Sequence, residues 1–594
     1  MIFTKKRWLK LTLLVGMVVM LSLVPLIAGG AGMIDDIKLV STGSSGRGGY
    51  GDSARPRISA DGKTLVFWSI ATDLIPGLTT NGNQQVYSYN IATGVTTLIT
   101  KGKDGTGGNG FSENPEVSGD GTRIAFRSVA TDLIAGETSP DSTNIYLYDA
   151  VTGQTTLVSK RFAGSYDPAY EPAISADGST IAYDSKAPDL IEGRTITVSG
   201  YPLYRYDVAT ATTTLVTETT PDHGVDGEYP QISADGSRIA FTSNATALVS
   251  GVSGYNTFLW DKTAGFTCLS ADPTGAGGSS RMTAISADGT RVAFISNLTS
   301  ISGVTANGHK NAFLWDETAG LSLITSGGSG IGGGDDTDGV SLSPDGMFAG
   351  VSSYASDLVA GLTTSGSKNV FLYNLASGIA ELITKADGIG GDDDSYRPSL
   401  LSVGPNKLVA FHSSASDLIP GTEIFLPPDW SMSPYNVYLW GRLELFTVTF
   451  DAQNGTTPLA VNVAWGRGAP SVANPTKAGY VFDGWWTAPT GGTKWDFSTP
   501  ITADITLYAH WVVGIPPTGD EFNFGDWIAD NWWIFALALI ALIGAFLWWW
   551  MGRNKEKDEH ALVDIGPVED DDFDAEPIPK PEPDEDIIDD IELE

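Results

Sequence analysis

One cysteine, Cys268, and five histidines are all that 594 residues provide of the side chains most used at metal and nucleophilic centres. A lone thiol excludes a disulfide within the chain and a Cys pair for zinc or redox chemistry. The histidines, at 223, 309, 412, 510 and 560, form no His-Glu-x-x-His grouping. A Gly-x-Ser-x-Gly elbow and a Gly-rich phosphate loop leading into a helix are also missing, so the expectation is a protein without catalytic or cofactor-binding residues. Positive charge is scarce: 35 Lys and Arg stand against 70 Asp and Glu, a net charge of −35. That surface repels phosphate backbones, and no basic patch interleaved with aromatics is present, which excludes nucleic acid as a partner.

What fills the chain instead is a repeated phrase: an Ile-Ser-Ala-Asp-Gly turn, a β-rich run, an Asp-Leu-Ile-x-Gly loop, an aromatic strand and a Thr-Gly-x-Thr-Thr-Leu-Val-Ser segment. It starts at Pro56-Arg57-Ile58-Ser59-Ala60-Asp61-Gly62 and returns around Asp120, Asp177, Asp235, Asp288 and Asp345, with a degenerate seventh copy at Gly404-Pro405-Asn406. A period of roughly 53–60 residues is that of stacked supersecondary units that cannot bury their faces alone. Each unit reads as four strands, a to d. In the second, a is 115–118, b is 123–128, c is 144–148 and d is 154–159, with Gly119-Asp120-Gly121 and Thr152-Gly153 as tight turns.

The pattern predicts an all-β, seven-bladed β-propeller over 34–445. The last unit reaches strand c at Asn436-Val437-Tyr438-Leu439-Trp440 and lacks the closing segment, while Ile37-Lys38-Leu39-Val40-Ser41 matches Thr155-Thr156-Leu157-Val158-Ser159. An N-terminal strand completing the last blade leaves no open edge. Cys268 takes a strand-d position, equivalent to Leu215, and reads as a small buried hydrophobe.

The turn and the strand after it, as in Ser175-Ala176-Asp177-Gly178-Ser179-Thr180-Ile181-Ala182-Tyr183 and Ser343-Pro344-Asp345-Gly346, resemble the TolB-type, WD40-like (PD40) propeller repeat. That family usually has six blades, so seven units depart from it. The resemblance implies a binding platform or a gating domain beside a hydrolase, with no particular ligand. Residues 446–512 resemble a second family, the Listeria–Bacteroides repeat (the B-repeat of internalin B). The match rests on Thr447-Val448-Thr449-Phe450-Asp451, Gly479-Tyr480-Val481-Phe482-Asp483-Gly484-Trp485-Trp486, Lys494-Trp495-Asp496-Phe497 and Leu507-Tyr508-Ala509-His510-Trp511. It implies a small β-grasp-like module of surface proteins, with Trp485, Trp486, Trp495 and Trp511 as core aromatics.

The two ends carry targeting signals. Basic residues up to Lys10, the apolar run Leu11 to Ile27 and small residues to Ala31 form a secretory signal, expected over 1–31. Residues 513–530 read as a linker, and Ile515-Pro516-Pro517-Thr518-Gly519 within it is similar to a sortase sorting signal. Residues 531–551 are apolar and flanked by Trp532-Trp533 and Trp548-Trp549-Trp550, with Arg553, Lys555 and Lys557 beyond, the pattern of a transmembrane helix whose C-terminal side is cytoplasmic. The tail 552–594 is strongly acidic, either a solvated self-repelling extension or a docking strip for a basic cytoplasmic partner.

Strand parity puts the long b–c and d–a loops on one face of the ring and the short hairpins on the other. Asp73, Asp132, Asp189, Asp357 and Asp417 recur in the b–c loops, where each reads as capping its own turn, and Asp335-Asp336-Thr337-Asp338 and Asp392-Asp393-Asp394 cluster in d–a loops. Asp336, Asp338, Asp392 and Asp393 admit two readings: convergence on one Ca²⁺, or separate turn-capping and solvation. The function expected is a membrane-anchored cell-surface protein whose propeller binds an extracellular protein or glycan. The alternative is an extracytoplasmic hydrolase or lyase acting on polysaccharide or peptide in the funnel.

Overall fold

The computed structural model describes residues 33–78, 80–134, 142–164, 167–272, 274–278, 281–362, 364, 366–386, 389–419 and 435–513. The expected signal (1–31), sorting motif, transmembrane helix and acidic tail lie outside the described residues. Among the described residues every regular element is a strand, and no helix is long and apolar enough to cross a membrane.

Six antiparallel four-stranded sheets follow one another in order a-b-c-d, the first from Ser53–Ile58 to Thr96–Leu98 and the sixth from Thr337–Leu342 to Ile379–Leu382. The seventh uses Ser395–Val403, Asn406–Ser413 and Asn436–Asp451, and its strand d is Met33–Leu39, paired antiparallel with Ile37 opposite Trp440 and Leu39 opposite Tyr438. The bond that ends a strand-d segment is the same at this joint as elsewhere. Ser41 Oγ donates to Asn436 Oδ1 and accepts from the Val437 amide, as Thr384 Oγ does with Asn369 and Val370.

Local chemistry explains the repeat. In the turn after strand a, Ser59 Oγ donates to Asp61 Oδ1 at 2.6 Å and the Lys63 amide donates to the same oxygen, while Gly62 takes φ 71°, a conformation that glycine adopts without a side-chain penalty. Ser118/Asp120, Ser175/Asp177, Ser233/Asp235, Ser286/Asp288 and Ser343/Asp345 repeat the bond. Behind the turn an aromatic pair from strands b and c stacks with centroids 5.7–5.8 Å apart in six units, from Phe67–Tyr87 to Phe411–Tyr438.

The cores lie between sheets: Val66 and Val86 of the first unit pack with Ile124, Phe126 and Tyr146 of the second. A sheet apolar on both faces is stable only with a neighbour on each side. Successive sheets are also joined by a backbone bond from the start of strand a to the residue before the preceding strand c, as in Ser112 to Gln84 and Ser395 to Lys368. Ser53 makes the equivalent bond to Tyr435 at 2.7 Å, so the first unit meets the last through the same joint.

The repeat module is continuous with the seventh sheet. Asn436–Asp451 is one 16-residue strand whose second half pairs with Leu459–Ala464 and, in parallel, with Ile505–Val513, which neighbours Tyr480–Trp486. No helix among the described residues covers this sheet; Phe450, Trp485, Phe482 and Phe497 pack together there, with Trp485 in edge-to-face contact with Phe450 at 5.0 Å. Trp486 instead stacks on His510 at 4.5 Å.

Candidate functional site

Strand a of all seven units lines a central cavity of about 250 Å³. Its two ends differ. At the hairpin end the turns are laced together by backbone bonds from Asp61 to Gly119, Gly119 to Ala176, Asp177 to Ala234, Ala234 to Ala287 and Ala287 to Pro344, which narrows the passage. Above this lie aliphatic side chains, one per unit, including Ile58, Ile174, Ile285 and Leu400. The end nearest the long loops is a polar collar built from the residue at the middle of each strand a: Arg55, Asn114, Glu171, Tyr229, Met282, Gly339 and Arg397.

A β-bulge places the collar. Pairing of strands a and b slips once in each unit, between Ala54 and Arg57 in the first and between Tyr396 and Ser399 in the last. At the bulge Arg55, Asn114, Glu171, Tyr229, Met282 and Arg397 take φ between 39° and 58°. This is the left-handed region, and five of the six precede proline, which favours extended backbone instead. Such a residue costs of order 1–3 kcal/mol and persists where the surroundings over-determine it.

Charge is not uniform around the collar. Arg55 lies 3.4 Å from Glu171, Arg57 lies 2.7 Å from Glu116, and Asn114 donates to Glu171 at 3.0 Å. Burial pushes the Glu116 carboxyl up despite its arginine. Burial, then the charges of Arg55 and Arg57, bring the Arg397 guanidinium down to about 10.

Next to Arg397, His412 stacks on Tyr396 at 5.4 Å, and burial followed by the surrounding cations holds its imidazole down to about 3. The Lys368 ammonium sits over the rings of Tyr396 (3.7 Å) and Tyr354 (4.6 Å) and pairs with Asp338. On the opposite side, Asp184 is buried with Oδ1 lacking a partner; burial, then Glu171, Glu228 and Asp226, hold its carboxyl well above the usual range.

The acidic residues singled out in the sequence are dispersed. Asp338 accepts from Ser352 and Lys368. Asp392 caps Ser416, and Asp393 accepts from the Asp394 amide. Asp336 accepts from the Lys310 amide and joins His309 and Asp335, whose ligand atoms lie within 4.8 Å of one another. The recurring loop aspartates reach across to a neighbouring loop. Asp73, Asp132, Asp189, Asp357 and Asp417 accept from the amides of Tyr50, Asn109, Ala163, Gly334 and Asp392, tying each b–c loop to the d–a loop that enters the same unit. The glycines of those loops make room: a Cβ on Gly102 would lie 2.6 Å from Asp132. Cys268 packs beside Phe258, and burial pushes its thiol up, as for an unreactive side chain.

The collar escaped sequence reasoning, which looked to the long loops. Its signal was the variable residue before proline in an otherwise repeated phrase: Arg55, Asn114, Glu171, Tyr229 and Arg397.

Sheets arranged about a polar-mouthed channel, with a small β module appended, define an all-β repeat protein. Comparison with known proteins gives likenesses to parts of the chain. The Listeria-Bacteroides repeat domain matches residues 446–510. Internalin H of Listeria monocytogenes is 43% identical over 72 residues, 12% of this chain and 13% of that protein. A Gly-rich membrane protein of Evansella cellulosilytica is 29% identical over 98 residues, 16% of this chain and 11% of that one. The chain thus spans a small fraction of the length of these relatives.

Among solved structures, TolB of Acinetobacter baumannii is similar over 56% of this chain and 62% of its own, at 16% identity and TM-score 0.32. The β-propeller domain of the Trilobed protease of Pyrococcus furiosus is similar over 66% and 95%, at 9% identity and TM-score 0.39.

Proposed function

We propose that the chain is a cell-surface binding protein in which a closed seven-bladed propeller presents the collared mouth of its channel to an extracellular protein or glycan, and in which residues 531–551 anchor it in the membrane as a single pass. The observation that carries this reading is the collar: six strained residues of different chemistry held around one opening, on the face where the long loops also gather. Strain kept at a mouth is the signature of a preorganised recognition site. The loop face is itself stiffened by the aspartate bonds between loops, which suits recognition by a rigid surface. Surface location draws support from the relatives of the repeat module, one an internalin and one a membrane protein.

Arg55 and Glu171 of the collar are engaged with each other, and the chain carries none of the common nucleophile motifs, so binding without turnover is the reading taken. The test is to present the full chain, in detergent or nanodiscs, to peptide and glycan arrays and to analyse each retained ligand for cleavage. Retention of intact ligand that is lost when Glu171 and Tyr229 are changed together to alanine is the expected result. Product formation without retention would overturn the proposal in favour of a hydrolase or lyase acting in the funnel.

A further inference from the structure

One arc of the collar carries an uncompensated charge. Arg55, Arg57 and Arg397 come from the first and last units, on either side of the joint where Ser53 bonds Tyr435. Arg55 has Glu171 and Arg57 has Glu116, but the Arg397 side chain has no hydrogen-bond or ion-pair partner among the described residues. Its backbone is held at φ 49° before Pro398, so a conformational cost is borne to keep a guanidinium at the mouth. The adjoining unit has Gly339 at this collar position and adds no side chain beside it. The remaining arc offers Tyr229 and Met282, which carry no charge; below it come Gln231, Ser341 and Ser399, and deeper still one aliphatic side chain per unit.

An arginine left unpaired in a lined cavity is a half-made ion pair; burial, then the charges of Arg55 and Arg57, lower its affinity for its proton against the opposing pull of Glu171 and Asp338. A planar carboxylate meets a guanidinium through two parallel N–H···O bonds. The ring of aliphatic side chains, one per unit, favours an alkyl group on the carboxylate at that depth of the channel. A cavity of about 250 Å³ accommodates one such group.

We propose that the channel mouth binds a carboxylate carried on an aliphatic body, with Arg397 pairing with the carboxylate and the aliphatic group entering the channel toward Ile58, Ile285 and Leu400. This rests on the binding reading above and names the chemistry of its ligand. Two sources share that chemistry, a free small acid and the C-terminus of a peptide.

The experiment is calorimetric titration of the full chain with N-acetyl-leucine, with its amide, and with an N-acetylated tripeptide ending in leucine as the free acid. The acids are expected to bind and the amide to bind at least about tenfold more weakly. Arg397→Gln is expected to lose the same factor for the acids, and Arg397→Lys to recover part of it. Each variant changes a half-buried side chain at a strained backbone position, so melting temperature serves as the check that folding is kept. A tripeptide binding more tightly than N-acetyl-leucine assigns the site to peptide termini; the reverse assigns it to small acids. Equal affinity for acid and amide, no heat from any of the three, or an unchanged acid affinity in Arg397→Gln would overturn the proposal. If the arrays retain other intact ligands while these acids fail, the carboxylate inference falls and the binding reading stands; cleavage of the tripeptide would instead remove the binding reading itself.

Discussion

Two buried side chains near the collar are pushed in opposite senses, and they make stability depend on pH in opposite ways. His412 is held down to about 3 from an ordinary 6.5, first by burial and then by Arg397, Arg55, Lys368 and Arg57. Between those values the unfolded chain takes up a proton that the folded chain refuses, so stability present at neutral pH is lost as pH falls through the window. At pH 4.5 this one group accounts for about 2–3 kcal/mol. His412→Gln should therefore be less stable than the parent at pH 7, where it loses a stacked ring, and close that gap at pH 4.5; urea unfolding at the two values measures it.

Asp184 has the contrary sign. Its carboxyl is raised, so its contribution is fully present below the unfolded value near 3.8 and is lost as pH rises toward the folded one. Asp184→Asn should be more stable than the parent at neutral pH, with the difference vanishing on acidification. Parallel pH slopes for parent and variants would refute both assignments. Neither residue was legible as special in the sequence, because each occupies the strand-b place before a repeated serine, where Trp68, Thr242 and Ile295 stand in other units. Their chemistry comes from which strand a packs against them, and that is set by the ring and not by their own sequence neighbours.

Strand order was the part that sequence patterning could read, because turn chemistry repeats with the fold: Asp-Gly between a and b, Thr-Gly between c and d, and a spare strand-d segment at Ile37. The bulge in strand a was not readable, since the left-handed residue is arginine, asparagine, glutamate, tyrosine or methionine and only the following proline recurs. Nor was the length of Asn436–Asp451, because the resemblance of the two modules changes at Phe446 while the backbone does not.

The joint at Ser41 offers a test of what closure contributes. Its hydroxyl both donates to Asn436 and accepts from Val437, and its loss takes the acceptor from the buried Val437 amide, at a cost of about 2 kcal/mol. Thr384→Ala removes the equivalent bond inside the sixth sheet and should cost a similar amount. Only Ser41→Ala should speed hydrogen exchange across 33–39 and 436–443 together, because its strand is held by pairing alone and not by a connecting hairpin. It should also promote self-association through the freed edge. Identical exchange patterns in the two variants would show that the N-terminal strand bears no special share of closure.

The repeat module is docked, which alters how the protein works as an object. A spacer hanging from the propeller would add reach; here a shared strand and a packed interface add rigidity. Trp465 packs on the core of the first and last sheets and lies 3.1 Å from where a Cβ on Gly62 would be, and Arg467 donates to the Ile91 carbonyl at 2.9 Å. Gly62 belongs to the hairpin end of strand a, so the module packs on the hairpin face of the first and last units, opposite the collar. The module thus leaves the mouth uncovered, since it packs on the other face.

Because an interface of one large aromatic and one arginine is small, it can be opened without unfolding either partner. Trp465→Ala with Arg467→Ala removes the anchor while the strand Asn436–Asp451 remains, turning a rigid connection into a hinge about that strand. Small-angle scattering of the full chain should then show a larger maximum dimension and a broadened distance distribution, and limited proteolysis should cut near Leu443 to Trp465 faster than in the parent. The acid-binding affinity at the collar should stay unchanged, since it lies on the opposite face. A scattering profile that matches the parent would mean that the strand alone sets the geometry, with the tryptophan contributing only local packing.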